Sequence, residues 1–365
     1  KDTDKLLKMI DIINIRPAIA VQTLTDSVLD TIKRKNIGLE KFESFQKTVS
    51  KKTGVISSTE LIMCLPGETI DSFIVTIKKV IDSSIKRIVI YTLMKLKGTP
   101  IDSIESVKKY KYDVRHRIVP GQFSMIDGEL VTDTEQVIVA TNTFSFDEYL
   151  DIRLLTLTIT IFITAAEFLP FKMLIEEGKF STSEWLFALH EKCIKDPRLD
   201  DLYESFISET KDELFESREL LFEFYSRKEN YKKLLDGEAG ANLINKYHAQ
   251  SLMSNFDTLL DVVSDNTMEF IHEKKMVEDV REYVGSRNIV ERMKQDYKKL
   301  DYESVLQYDV PTWFESANQK HLSEYCGNYK YKVYLNREVA SVFKKYFGIN
   351  KDVLNSHNKC NFNCN

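Results

Sequence analysis

At 365 residues and 43% hydrophobic, the chain is long enough for two domains and apolar enough to give each a core. Its net charge of −5 is uneven, with 22 Lys and Arg against 14 Asp and Glu in residues 1–120 and 29 against 42 in the remainder. Solvated helix faces or a basic half suited to an anionic substrate or cofactor phosphate both fit that split; neither half has the basic, aromatic-interleaved density of a nucleic-acid surface. Five cysteines without framework spacing argue against a disulfide-stapled secreted domain and for the reducing cytoplasm, and no signal peptide is visible.

Leu6, Leu7 and Ile10 are spaced for a short opening helix. Ala18 to Thr23 reads as a strand with Pro17 at its start, where a missing donor is tolerated. Thr25 can cap a helix carrying Val28, Leu29 and Ile32, and a second helix carries Leu39, Phe42, Phe45 and Val49. Val55 to Leu65 is the next strand. It must stop at Pro66-Gly67, which opens onto a helix with Thr69 as N-cap and Ile70, Phe73, Ile74, Ile77 and Ile81 on one face. Arg87 to Leu93 is a third strand. Near-continuous apolar strands alternating with helices predict parallel pairing. Three strands are too few to close a barrel and read as the second half of one.

Between 100 and 145, Asp127-Gly128 flanked by Phe123 to Ile126 and Leu130-Val131 signals a hairpin. From 146 to 300 the pattern is helical. Leu154 to Ala166 is the most apolar run, but it is broken by four threonines, closed by Glu167 and shorter than the about 20 residues a membrane span needs, so it reads as a buried helix. Trp185, Leu186 and Leu189 share a helix face, and a long acidic helix is predicted around Leu202, Phe206, Leu214 and Leu221. After Lys299 comes a small mixed unit with Val305 to Tyr308, Trp313, the alternating Tyr329 to Tyr334, and a last helix around Phe343 and Phe347.

Several side chains stand out chemically. Gln22 ends its strand and either hydrogen-bonds a ligand or faces solvent, with Thr23 beside it. Glu60 lies inside an apolar strand on the expected face of Ser58, Ile62 and Cys64, so its carboxylate needs an internal partner such as Arg87 or a ligand. Glu68 and Thr69 suit a helix N-terminus, where an acid and a hydroxyl stabilise the dipole and cap free amides. A lone buried Cys64 behaves as a small hydrophobe more often than as a nucleophile. Arg34 and Asn36 read as a surface helix end. His116, within Arg115-His116-Arg117, reads as a solvated turn or part of an anion site. The six histidines show no metal-ligand spacing, and no Ser-His-Asp set or P-loop is visible.

Leu65-Pro66-Gly67-Glu68-Thr69 resembles the turn near the end of the catalytic barrel of radical S-adenosylmethionine (SAM) enzymes, particularly those that also bind cobalamin. Three further stretches resemble that family in order. Ala20-Val21-Gln22-Thr23 with Lys33-Arg34-Lys35-Asn36 is similar to the strand and helix before the turn. Ile88 to Tyr91 with Gly98-Thr99-Pro100 is similar to the last barrel strand and its loop, and Val119-Pro120 through Thr141-Asn142-Thr143 and Arg153 to the segment leading out. The resemblance covers roughly the first 155 residues. It departs where Cys64 replaces the family's Gly and Lys97 its Pro.

The resemblance implies SAM and a [4Fe–4S] cluster as cofactors, with cobalamin from a preceding domain, an external electron donor, and a small-molecule or carrier-linked substrate. It implies reductive SAM cleavage to a deoxyadenosyl radical and cofactor contacts from Gln22, Thr23, Glu60, Cys64, Gly67 and Glu68. The family's C-x3-C-x2-C cluster loop is not in this sequence; Cys360 and Cys364 have the C-x3-C spacing without a third cysteine and read as a chance pair or the start of a second cluster loop. No metal ligand is assigned. The start at Lys1 and the mid-barrel beginning of the match suggest the C-terminal portion of a longer protein, inactive by itself.

The expected fold is α/β: the C-terminal half of a partial (β/α)6 TIM-like barrel over 1–99, a connecting segment with a hairpin over 100–145, a mainly α-helical accessory domain over 146–300, and a small α/β unit over 301–365. A non-catalytic interaction module, with a degenerate half-barrel carrying a helical binding domain, is the alternative function. No nucleic acid partner and no membrane span are expected.

Overall fold

The computed structural model describes residues 9, 12, 18–36, 58–83, 85, 87–288, 302–316 and 320–333. The expected second helix around Leu39, the helix around Phe343, and Cys360 and Cys364 lie outside these residues. The chain forms two units, Lys1–Ala165 with Ile207–Lys232, and Ala166–Phe206 with Lys233–Asn365.

The first unit is built on a parallel sheet of β1 (Ala18–Gln22), β2 (Ser58–Met63) and β3 (Arg87–Thr92), in that order. The predicted parallel pairing is therefore present, as three strands and not a closed barrel. α1 (Asp26–Thr31) follows β1, and α2 (Ile70–Ile81) joins β2 to β3. Thr69 caps α2 as the sequence predicts: its hydroxyl accepts from the Ser72 amide, and the Ser72 hydroxyl reciprocates at the Thr69 amide. The buried stripe of α2 is Phe73, Thr76, Ile77, Val80 and Ile81, rotated from the expected one, with Ile70 and Ile74 only half-buried.

On the outer edge of β3, the Thr164 hydroxyl accepts from the Ile88 amide and donates to the Ile88 carbonyl, so at this residue a side chain takes the place of a further strand. Thr164 sits in a π-helical turn, Thr160–Thr164, that ends the buried helix α4 (Phe146–Ile159). Between them lie α3 (Ile104–Tyr110) and a long hairpin of β4 (Asp113–Ile126) and β5 (Glu129–Ala140), turning at Asp127-Gly128 with both φ angles positive. Past β3, Met94 bridges Val137 of β5, so the hairpin covers the edge where the strand leaves it.

The expected long acidic helix is broken into α7 (Asp200–Asp212), α8 (Arg218–Ser226) and α9 (Lys228–Leu235). The break has a cause: the Phe215 backbone exchanges both hydrogen bonds with His116 on β4. Arg117 on the same strand pairs with Glu213 at 3.0 Å and with Glu135 of β5. These bonds attach residues 207–232 to the sheet unit, although they were expected in the helical domain. They also correct the reading of Arg115-His116-Arg117 as a solvated turn or anion site. The stretch is strand, and Arg115 and Arg117 are already paired, with Asp113, Glu216, Glu135 and Glu213.

The second unit contains α5 (Leu169–Glu177), α6 (Thr182–Lys195), α10 (Leu243–Ser254), α11 (Phe256–Phe270) and α12 (Lys274–Ser286). Trp185, Leu186 and Leu189 are fully buried, and the Trp185 indole donates to Thr267. β6 (Tyr302–Tyr308), α13 (Val310–Glu315) and β7 (Cys326–Val333) form the predicted mixed unit, with β6 and β7 antiparallel. Buried Asp279 of α12 secures it by accepting from the Gln307 and Tyr308 amides.

Candidate functional site

In parallel α/β sheets, polar ligands meet the carboxyl ends of the strands, where loops open onto helix N-termini. The sheet here has one buried face, with Thr59, Leu61, Met63, Ile88, Ile90 and Thr92 buried. The other face carries Ser58, Glu60, Ile62, Arg87, Val89 and Tyr91, all half-buried or exposed. Glu60 makes no hydrogen bond or ion pair among the described residues, so the alternative of an internal pair with Arg87 is not formed. Its charge acts on the neighbouring Tyr91 phenol, whose pKa is raised first by burial and then by Glu60.

β1 ends in an unusual conformation. Gln22 has φ of +63°, and the pairing with β2 slips from Ala20 opposite Glu60 to Gln22 opposite Leu61. Asn36 Nδ2 donates to the carbonyls of Val21 (2.9 Å) and Thr23 (2.7 Å), and Arg34 donates to the carbonyl of Ala20. Thr23 is fully buried, its hydroxyl receiving the Thr25 amide and lying 3.5 Å from the Thr76 hydroxyl, which makes it an internal brace.

β2 ends similarly. Cys64 has φ of +63° and is fully buried, so it does not share the open face of Glu60 as expected. Burial, and then the Glu148 carboxylate, push its thiol well above the ordinary range, leaving a neutral thiol. Glycine is the residue that adopts such a φ without strain. The turn then closes through the Glu68 amide donating to the Leu65 carbonyl (3.0 Å), with exposed Gly67 at φ +84°. Glu68 is fully buried: Oε1 accepts from the hydroxyls of Thr25 (2.8 Å) and Ser72, while Oε2 has no hydrogen-bond partner among the described residues. The Glu68 carbonyl accepts from the Thr143 hydroxyl at 2.7 Å. Two of the four family-like stretches, around Glu68 and around Thr143, thus meet.

Gln22, Glu60 and Gly67 therefore present groups at the open face or strand ends, whereas Thr23, Cys64 and Glu68 are enclosed. Sequence reasoning missed the bracing roles of Arg34 and Asn36, since a helix-end position gives no sign of which carbonyls a side chain will reach. A nearby open groove of about 430 Å³, lined by Leu24, Thr25, Ser72, Val75 and Lys79 among others, includes none of the expected site residues.

Among the described residues the donor set does not fit an iron–sulfur cluster, whose ligands the resemblance places outside this sequence. Among the described residues no group of three or more His, Cys, Asp or Glu is arranged to hold a metal ion, and burial pushes the Cys193 thiol up to about 12. The Gln22 side-chain amide and the Glu60 carboxylate, both half-buried, have no hydrogen-bond partner among the described residues. No protein-family model matches the chain, and no curated protein is significantly similar to it. No single helix among the described residues is long and apolar enough to cross a membrane.

Proposed function

We propose that the chain is the C-terminal portion of a radical SAM enzyme of the cobalamin-binding type, its three strands forming part of a (β/α)6 barrel. The reading rests on one observation: the carboxyl ends of adjacent parallel strands carry left-handed Gln22 and Cys64, a Pro-Gly turn and buried Glu68, in the order the family resemblance requires. Non-glycine residues held in that conformation cost on the order of 1–3 kcal/mol each and concentrate at functional sites.

Bound there, SAM would supply the adenosyl group for a radical methylation or rearrangement of a small metabolite or polysaccharide-type precursor. The residues of this chain bind and orient. The Gln22 amide and Glu60 carboxylate offer hydrogen bonds to hydroxyl or amino groups of the ligand, and exposed Gly67 lets its backbone approach closely. Glu68 holds the loop after β1 to the start of α2, which fixes the spacing of the two strand ends. Cys64 stays protonated and serves packing. The helical domain binds the substrate's carrier, and the protein acts in the cytoplasm.

The alternative is a non-catalytic interaction module, in which a degenerate half-barrel carries a helical binding domain. The coding frame before Lys1 separates the two. The enzyme reading expects a C-x3-C-x2-C loop there and, after anaerobic reconstitution of the whole frame with iron and sulfide, a brown cluster-bearing protein that cleaves SAM. A complete frame without that loop favours the interaction module.

A further inference from the structure

The end of β1 is held by two side chains that belong to neither the sheet nor the open face. Asn36 Nδ2 bonds the carbonyls on both sides of Gln22, those of Val21 and Thr23, and its Oδ1 accepts from Arg34 Nε at 3.2 Å. Arg34 in turn donates to the carbonyl of Ala20, at the point where the β1–β2 register slips. Three carbonyls around the slipped register, at positions 20, 21 and 23, are thus bound from residues 34 and 36. A glutamine left to itself does not favour φ of +63°.

We infer that Asn36, oriented by Arg34, is a positioning residue that clamps Gln22 in its left-handed conformation and so presets the ligand-facing end of β1. The clamp is a statement about the fold; its effect on a ligand rests on the SAM reading above. Binding is tightest where the site is already in its bound shape, so loss of the clamp weakens binding without removing any group that touches the ligand.

The test is a double-mutant cycle on the full chain, read by thermal unfolding. Asn36→Ala should lower the midpoint by about 3 °C or more in the wild-type background. Glycine at 22 adopts the same φ unaided, so the loss should shrink clearly when Asn36→Ala is made in Gln22→Gly. Equal losses in the two backgrounds overturn the clamp. If Asn36→Ala does not fold, Asn36→Asp, which keeps the size but loses both N–H donors, replaces it in the same cycle. Titration with SAM adds a second arm: wild-type binding weakened roughly tenfold by Asn36→Asp supports presetting, and unchanged affinity overturns it. Failure of the wild type to bind SAM overturns the ligand reading, and the unfolding cycle still decides the clamp.

Discussion

At Cys64 the backbone asks for glycine and the core asks for a side chain. The left-handed φ of +63° strains any residue with a Cβ, while complete burial rewards filling the space. Alanine usually stabilises relative to glycine, but at a positive φ the order reverses. Chemical denaturation should therefore find Cys64→Gly more stable than Cys64→Ala by about 1 kcal/mol; the ordinary order would show that the strand end relaxes out of this conformation. Thiol chemistry offers a second check. In a Cys360→Ser/Cys364→Ser background, a disulfide reagent under native conditions should modify exposed Cys326 quickly and leave Cys64 and Cys193 untouched, as mass mapping would record. At this scale the sequence revealed residue types and little of their surroundings. The Pro-Gly bend and the Thr69 cap follow from local chemistry and were legible. The enclosure of Thr23 and Glu68 depends on partners at positions 72, 76 and 143, which no local pattern specifies.

Among the elements, the hairpin of β4 and β5 shows how a partly buried charge ties distant segments together. Burial works against the Arg117 charge, but Glu213 and Glu135 outweigh it and raise its pKa further. Removing one partner of such a group leaves the others uncompensated, so Arg117→Met should destabilise the chain by about 3–5 kcal/mol, measured by urea unfolding. A loss under about 1 kcal/mol would mean the network is a surface ornament. Periodicity predicted one long acidic helix here because Leu202, Phe206, Leu214 and Leu221 are all apolar at plausible spacing. It could not see that residues 213 to 217 leave the helix to pair with β4, since that pairing is set by a contact 99 residues away in sequence, between Phe215 and His116. The three parallel strands and the turn at Asp127-Gly128 were legible, because each carries its own alternation and turn chemistry. Closure of the β3 edge by Thr164 was not, because the threonine lies in an apolar run that reads simply as helix.

For the whole molecule, acid stability is set partly in the second unit. Burial lowers the pKa of His190 from 6.5 to about 4, so the folded chain declines a proton that the unfolded chain accepts. Stability is then fully present above pH 6.5 and falls as pH drops toward 4, with a slope of up to about 1.4 kcal/mol per pH unit from this group. His190→Gln should flatten that part of the unfolding profile between pH 6.5 and 4; an unchanged slope would assign the effect to other groups. The division of the chain into two units follows contacts between distant segments, which is why boundaries drawn from composition at 99, 145 and 300 do not coincide with it. The proposal that the open ends of the parallel strands hold an adenosyl ligand is open to equilibrium titration of the chain with SAM. Saturable binding of one SAM per chain is expected, weakened roughly tenfold or more by Glu60→Gln. Absence of saturable binding, or equal affinity in wild type and Glu60→Gln, would contradict it.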